Sequence, residues 1–216
     1  VPETQEGVSA LTLKLPLGSY ASARDIRPEC GLVSEHAWIG ESNAPRAFYH
    51  PDRLSAQLLW FESGEVEYRF SLGEIDPVQV EWLEISMELS SNAPMYRENF
   101  KSDIYVGLGE TELGVWTSPG DYGARRGRFN PSWWSDTSSQ YGLLKTWRVD
   151  NQGCTLDGEP LSSVTLADLN LGGQDYLALR IGVHADAAHV GGINLFGEQF
   201  GDFAQGIVVR VGYAKP

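Results

Sequence analysis

The chain has 216 residues, and 16 Lys and Arg against 29 Asp and Glu give a formal net charge of −13 at pH 7. This excess of negative charge argues against a surface that grips nucleic acid or an anionic membrane, because both need a surplus of Lys and Arg. With 42% hydrophobic and 11% aromatic residues the chain can build a sizeable core, which excludes a disordered protein. The length fits one domain over residues 1–216, and no apolar run is long enough to span a bilayer.

Alternating apolar and polar residues, the pattern of half-buried strands, dominate the chain. The clearest case is Leu83, Ile85, Met87 and Leu89, which alternate with Glu84, Ser86, Glu88 and Ser90. The apolar run 57–61 and the alternating run 65–70 are separated by Ser63-Gly64, which predicts a hairpin. In chain order, strands are predicted at 11–17, 57–61, 65–70, 83–89, 104–108, 113–116, 143–149, 176–183 and 207–213.

Helical periodicity is confined to a single turn at 163–169. Glycine (24 residues) and proline (11 residues) cluster between the predicted strands, as short turns do in antiparallel sheets. The sequence therefore predicts an all-β, antiparallel β-sandwich in a single domain, and within that class it favours a jelly roll of about eight to ten strands.

Two long stretches, 91–103 and 117–141, interrupt the strand pattern. Connections longer than about 12–15 residues in a compact domain are usually functional or disordered. These two are rich in aromatic residues, so we expect them to fold over one end or face of the sandwich.

Several long motifs resemble one family of proteins. They lie at 102–106, 114–123 (GVWTSPGDYG), 125–127, 139–149 (SQYGLLKTWRV), 180–183, 189–197 (HVGGINLFG) and 200–202. Over roughly residues 10–213 the chain resembles the C-terminal domain of Firmicutes-type bacterial regulators, described as ArsR-like or winged-helix transcriptional regulators.

The resemblance implies an effector-sensing role in a cytoplasmic transcription regulator. DNA would be contacted only through an N-terminal winged-helix head, which this sequence does not contain. A homodimer is expected, because such heads read two half-sites about a two-fold axis. The predicted fold and the aromatic residues, rather than the resemblance, suggest a carbohydrate or another small metabolite as the effector. The resemblance implies no particular binding or catalytic residue.

The segment 116–141 and the Gly-rich stretch 189–202 are predicted to converge on one ligand cleft. Aromatic rings offer faces to a sugar, arginines can clamp a carboxylate or phosphate, and amide side chains both donate and accept hydrogen bonds. The alternatives are that the rings form a satellite core and that the arginines lie in a solvated loop. The candidate ligand-binding residues are Trp116, Arg125, Arg126, Arg128, Trp133, Trp134, Gln140, Tyr141, His189 and Asn194.

No metal or other cofactor is predicted. His184, Asp186 and His189 are closely spaced, but a metal site needs three or four converging ligands. Asp121 and Asp202 lie in Gly-rich loops, and at lower odds they could join a structural calcium site.

Cys30 and Cys154 are the only cysteines. They could form one disulfide in a secreted protein or stay as two free thiols in the cytoplasm. The first seven residues contain neither a basic nor an apolar leader pattern, so either a signal peptide was removed or the segment was cut from a longer chain.

An enzyme is the less favoured class. No Gly-x-Ser-x-Gly elbow and no Walker-type phosphate loop is present. Glu65 and Glu67 could form a glycosidase pair on one strand face, but these residues, like Glu81, Glu84 and Glu88, fit a solvated charged face better. The main alternative to the regulator is a carbohydrate-binding module of a secreted polysaccharide-degrading enzyme.

Overall fold

The computed structural model describes residues 8–173 and 175–214, which are built almost entirely from β-strands and loops. Residues 1–7, the segment without a leader pattern, lie outside this part. Short 3-10 turns are found at Pro45–Tyr49, Pro51–Ser55, Pro77–Gln79 and Leu166–Leu169. The last of these is the predicted helical turn, and Thr165 caps it. No helix among the described residues is long and apolar enough to cross a membrane.

The described strands form two antiparallel sheets of nine and five strands. The larger sheet contains β1 (Val8–Leu15), β3 (Gly31–Ser34), β4 (Ala56–Phe61), β6 (Val80–Ser90), β9 (Leu143–Asp150), β10 (Cys154–Leu156), β11 (Glu159–Ser162), β13 (Ile193–Phe196) and β14 (Ile207–Ala214). The smaller sheet has the order β2 (Ser22–Arg24), β5 (Gly64–Phe70), β12 (Leu177–Val183), β7 (Ser102–Leu108) and β8 (Thr111–Ser118).

One continuous core lies between the two sheets. Alternate residues of β5 and β6, such as Val66, Tyr68, Leu83 and Ile85, point into it and are fully buried. The chain changes sheet at most of its connections, which is the connectivity of a jelly roll. The predicted all-β antiparallel sandwich is therefore confirmed.

The strand count of about eight to ten was too low. Five strands, β2, β3, β10, β11 and β13, have only three or four residues each. So few residues show too little alternation to be recognised as strands in the sequence.

The predicted hairpin between 57–61 and 65–70 is wrong. β4 lies in the larger sheet and pairs with β3 and β13, whereas β5 lies in the smaller sheet and pairs with β2 and β12. Gly64, at φ 116°, starts β5 at this corner, where a Cβ atom would lie 2.7 Å from the carbonyl oxygen of Arg24. A corner between two sheets and a hairpin turn favour the same residue types, so Ser63-Gly64 did not distinguish one from the other.

The two cysteines are not bridged. Cys30 and Cys154 are both buried free thiols in the core. Burial raises the pKa of each thiol to about 11, so neither is a thiolate at neutral pH.

Candidate functional site

The two long segments predicted to converge do lie against each other. The Arg125 guanidinium forms two parallel hydrogen bonds with the Asp202 carboxylate, with Nη1 2.9 Å from Oδ1. Phe129 donates its backbone N–H to the Gly201 carbonyl at 3.0 Å, and Gly201 donates its own to Oδ1 of Asn130 at 2.7 Å. The loop after β8 and the loop after β13 are thus joined at one end of the sandwich.

Glu88 anchors this junction from below. Its Oε1 accepts backbone N–H groups from Gly142 at 2.8 Å and Asp202 at 2.9 Å, and its Oε2 accepts from Phe203 at 3.0 Å. Glu88 is fully buried, and this burial raises its pKa to about 7 although the backbone donors favour the carboxylate. The expectation of a solvated face at Glu88 was wrong, because the two loops cover that end of β6.

Next to the junction lies a cavity of about 190 Å³ that we call the aromatic cleft. Its walls are the rings of Trp38, Trp60 and Trp134, whose centroids are 5.6–6.1 Å apart. Trp60 and Trp134 are 9% and 6% exposed and belong to a small core cluster, whereas Trp38 is 49% exposed. About half of the Trp38 side chain is therefore open to solvent, and the other two rings pack against the rest.

The floor of the aromatic cleft is polar and buried. Asn194 donates to the Ser91 carbonyl at 2.6 Å and to Ser139 Oγ at 3.1 Å. Ser139 Oγ in turn donates to Oδ2 of Asp121 at 2.8 Å, and the Ala93 backbone N–H donates to the same oxygen at 2.8 Å. Three of these residues, Ala93, Ser139 and Asn194, line the cavity.

Asp121 lies beneath this floor and is fully buried. Its second oxygen, Oδ1, has no hydrogen-bond partner among the described residues. Burial raises the pKa of Asp121 to about 7, because desolvation of the charged form outweighs the neighbouring hydrogen-bond donors.

Two of the ten predicted ligand-binding residues, Trp134 and Asn194, line the aromatic cleft. Three others hold the loop together instead. Arg125 bonds Asp202, and Arg126 donates to the Trp134 carbonyl at 3.1 Å and to Asp136. Gln140 is fully buried and donates to the carbonyls of Ser135 and Ser138.

The remaining five lie around the junction or away from it. Trp133 is 37% exposed, packs on Trp134 and donates its indole N–H to the Glu35 carbonyl at 2.6 Å. Tyr141 stacks on Tyr122 beneath the Arg125 guanidinium. Trp116 packs at the edge of the main core, His189 Nδ1 lies 3.1 Å from Asp103, and Arg128 is exposed.

Sequence reasoning missed the other cleft residues, among them Trp38, Trp60, Asn43 and Asn92. Trp60 was counted only as part of a strand. Trp38 lies between β3 and β4, in a stretch for which no element was predicted. The one signal in the sequence that could have identified Trp38 is that it is a tryptophan outside any apolar pattern.

The histidines of 184–189 do not converge on a shared site. His184 Nε2 bonds Glu112 at 2.6 Å, whereas His189 bonds Asp103. Within residues 8–173 and 175–214, no group of three His, Cys, Asp or Glu side chains is arranged to hold a metal ion.

The sequence matches no protein-family model and no curated protein. Among solved structures it is similar to a family 7 alginate lyase in complex with its product. The identity is 12%, the match covers 85% of this chain and 91% of the lyase chain, and the TM-score is 0.28. A likeness at this level says nothing about ligand or catalysis in this chain.

Proposed function

We propose that this chain is a carbohydrate-binding domain and that the sugar binds in the aromatic cleft. The observation that carries the proposal is the half-exposed ring of Trp38, held beside a floor of buried hydroxyl and amide groups. The C–H face of a sugar ring packs on an aromatic face, while its hydroxyls need donors and acceptors at fixed positions. Sites of this kind combine apolar walls with a few well-placed polar groups.

The size of the cleft favours a small ligand. Its volume of about 190 Å³ lies below the roughly 300–1,000 Å³ that is typical of pockets for drug-sized ligands. We therefore expect a single sugar ring, or the end of a chain, rather than an extended oligosaccharide.

Binding is tested by calorimetric titration with a panel of monosaccharides and short oligosaccharides. For a sugar that binds, Trp38→Ala should weaken the affinity at least tenfold, or about 1.4 kcal/mol, because the stacking face is lost. Trp82→Ala is the matched control, since Trp82 lies on β6 outside the cleft, between Arg148 and Arg210. Equal losses in the two variants, or no binding of any sugar by the unaltered protein, would contradict the proposal.

Trp134 is not suitable for this test. It is nearly buried and donates its indole N–H to the Ser139 carbonyl at 2.9 Å, so Trp134→Ala removes part of a core. A loss of roughly 3–5 kcal/mol in unfolding free energy is expected.

The biological setting is a proposal with two forms. In the first, suggested by the resemblance to winged-helix regulators, the sugar is the effector and favours one arrangement of a dimeric regulator. In the second, the chain is a carbohydrate-binding module of a polysaccharide-degrading enzyme. The upstream coding sequence distinguishes them, since the regulator requires a winged helix there and the module requires a signal peptide or a catalytic domain.

Hydrolysis by the chain itself has little support. A glycosidase places two carboxyl groups on either side of a bound sugar. Glu65 and Glu67 instead share one cation, because Arg24 Nη2 lies 2.5 Å from Glu65 and 3.0 Å from Glu67.

A further inference from the structure

A second cavity, of about 420 Å³, lies on the outer face of the smaller sheet. We call it the sheet-face cleft, and six residues carry its chemistry: Arg24, Arg27, Glu65, Tyr105, Arg180 and His184. It is built from β2, β5, β7 and β12 and shares no lining residue with the aromatic cleft.

Glycines in the sheet let two of these side chains lie flat across neighbouring strands. Gly182 pairs with Glu65 on one side and Tyr105 on the other, and Tyr105 reaches over it to donate its hydroxyl to Glu65 at 2.6 Å. A Cβ atom at Gly182 would lie 2.9 Å from that hydroxyl. In the next row, Arg180 lies over Gly107 and donates Nε to the Gly109 carbonyl at 2.7 Å.

Two contacts fix Tyr105, its hydrogen bond to Glu65 and a stacked His184 ring. The His184 ring stacks on it at 4.1 Å with an interplanar angle of 8°. Burial and the adjacent Glu65 raise the pKa of Tyr105, so its hydroxyl remains protonated and keeps its hydrogen bond to Glu65. The polar groups of the cleft are thus fixed before any ligand arrives, which lowers the cost of binding one.

The cleft brings three arginines together, and two of them have carboxylate partners. Arg24 and Arg180 both contact the single carboxylate of Glu65, at 2.5 Å and 3.3 Å. Arg27 is exposed and forms no ion pair with any residue of the described chain. Arg27 is therefore the one arginine of the cleft without a carboxylate partner among the described residues, since Arg24 is shared between Glu65 and Glu67.

We propose that the sheet-face cleft is a second binding site, for a small molecule that bears a carboxylate or a phosphate. Arg27 would make the primary contact, because its guanidinium has no carboxylate partner among the described residues, and Arg24 and Arg180 would offer further N–H donors. Guanidinium groups bind both kinds of oxyanion through parallel hydrogen bonds. This inference does not depend on sugar binding in the aromatic cleft.

The test is a titration of four probes at low ionic strength: inorganic phosphate, acetate, glucuronate and glucose. Binding of acetate and glucuronate alone identifies a carboxylate site, and binding of phosphate as well identifies a general oxyanion site. Both results support the proposal if Arg27→Gln weakens the affinity at least tenfold and added salt weakens it further. Arg180→Lys should also weaken binding, because it keeps the charge but loses the planar fork.

Arg128→Gln is the matched control, because Arg128 is also exposed and forms no ion pair with any described residue. It should leave anion binding unchanged, as should Trp38→Ala. The proposal is overturned if no anion saturates the protein, if Arg128→Gln has the effect expected of Arg27→Gln, or if glucuronate binding is lost in Trp38→Ala. The last result would place the ligand in the aromatic cleft.

Discussion

Replacing Asp121 with Asn should change how the stability of the domain depends on pH. Asp121 is fully buried with one unpartnered oxygen, and its pKa is raised from the ordinary value of 3.8 to about 7. At about 1.4 kcal/mol for each pKa unit, that difference corresponds to at most about 4 kcal/mol. This is the free energy by which ionisation of Asp121 destabilises the folded domain.

The direction of the pH dependence follows from the number of protons that the folded and unfolded states bind. Between about pH 4 and pH 7 the folded protein keeps a proton on Asp121 that the unfolded chain has released, so stability falls as the pH rises through this window. Below that window both states are protonated, and above it both are ionised and the loss is complete. An Asn side chain has no charge to bury, so Asp121→Asn should lack this part of the decline.

In the folded protein at pH 5, Asn should make nearly the same hydrogen bonds as the protonated Asp121 side chain. Asn can accept the hydrogen bonds of Ala93 and Ser139 through its single oxygen, at the position of Oδ2. Its amide then occupies the position of Oδ1, where a protonated carboxyl would also leave a donor unpaired. Since the unfolded chain has already released this proton at pH 5, only part of the decline lies above that pH. The unfolding free energy of the variant relative to the unaltered protein should therefore rise by about 3 kcal/mol between pH 5 and pH 8.

The assay is urea unfolding followed by tryptophan fluorescence at several pH values from 5 to 8. Asp186→Asn is the control, since Asp186 is exposed and has no hydrogen-bond or ion-pair partner in the described part of the chain. Glu88 also titrates in this range, but it is present in all three proteins and cancels in the comparison. A difference between Asp121→Asn and the unaltered protein that stays constant from pH 5 to pH 8 would refute the reasoning.

Two further outcomes are expected. Gly201→Ala should lower the unfolding free energy by more than about 2 kcal/mol, because its Cβ would lie 2.5 Å from both carboxylate oxygens of Glu88 at a φ of 81°. Gly109→Ala, at φ 57° with open space around it, should cost only about 1 kcal/mol, and similar losses in urea unfolding would contradict the packing at Glu88. Cys30 and Cys154 should react slowly with a thiol reagent in the folded protein. After unfolding without reductant both thiols should react, whereas the absence of any reactive thiol would indicate a disulfide.

The sandwich was predictable because period-two patterning reports burial directly. Leu83, Ile85, Met87 and Leu89 alternate with polar residues in the sequence, and all four are fully buried in the core. Patterns of this kind depend only on which side of a strand a residue occupies. They do not say which sheet a strand joins, which is why β4 and β5 were paired incorrectly.

The candidate site was less predictable because it depends on contacts between distant loops. Glu88 belongs to the polar side of β6, and only the covering loops bring that side into the interior. Trp38 and Trp134 are far apart in sequence, and their ring centroids come to 5.8 Å because both pack on Trp60. No local pattern encodes such a contact. The arginines of 125–128 were predicted to bind a carboxylate or phosphate of the ligand, whereas Arg125 and Arg126 instead form hydrogen bonds that stabilise the loop.

The most direct test of sugar binding in the aromatic cleft is a two-dimensional ¹⁵N–¹H spectrum of the tryptophan indole groups during a sugar titration. The chain has seven tryptophans, each with one indole N–H. A bound sugar should shift the signals of Trp38 and Trp134, which line the cleft, and leave those of Trp82 and Trp147 unchanged, since Trp82 lies on β6 and Trp147 in the main core. Saturable shifts confined to Trp82 or Trp116, with Trp38 unmoved, would contradict the account.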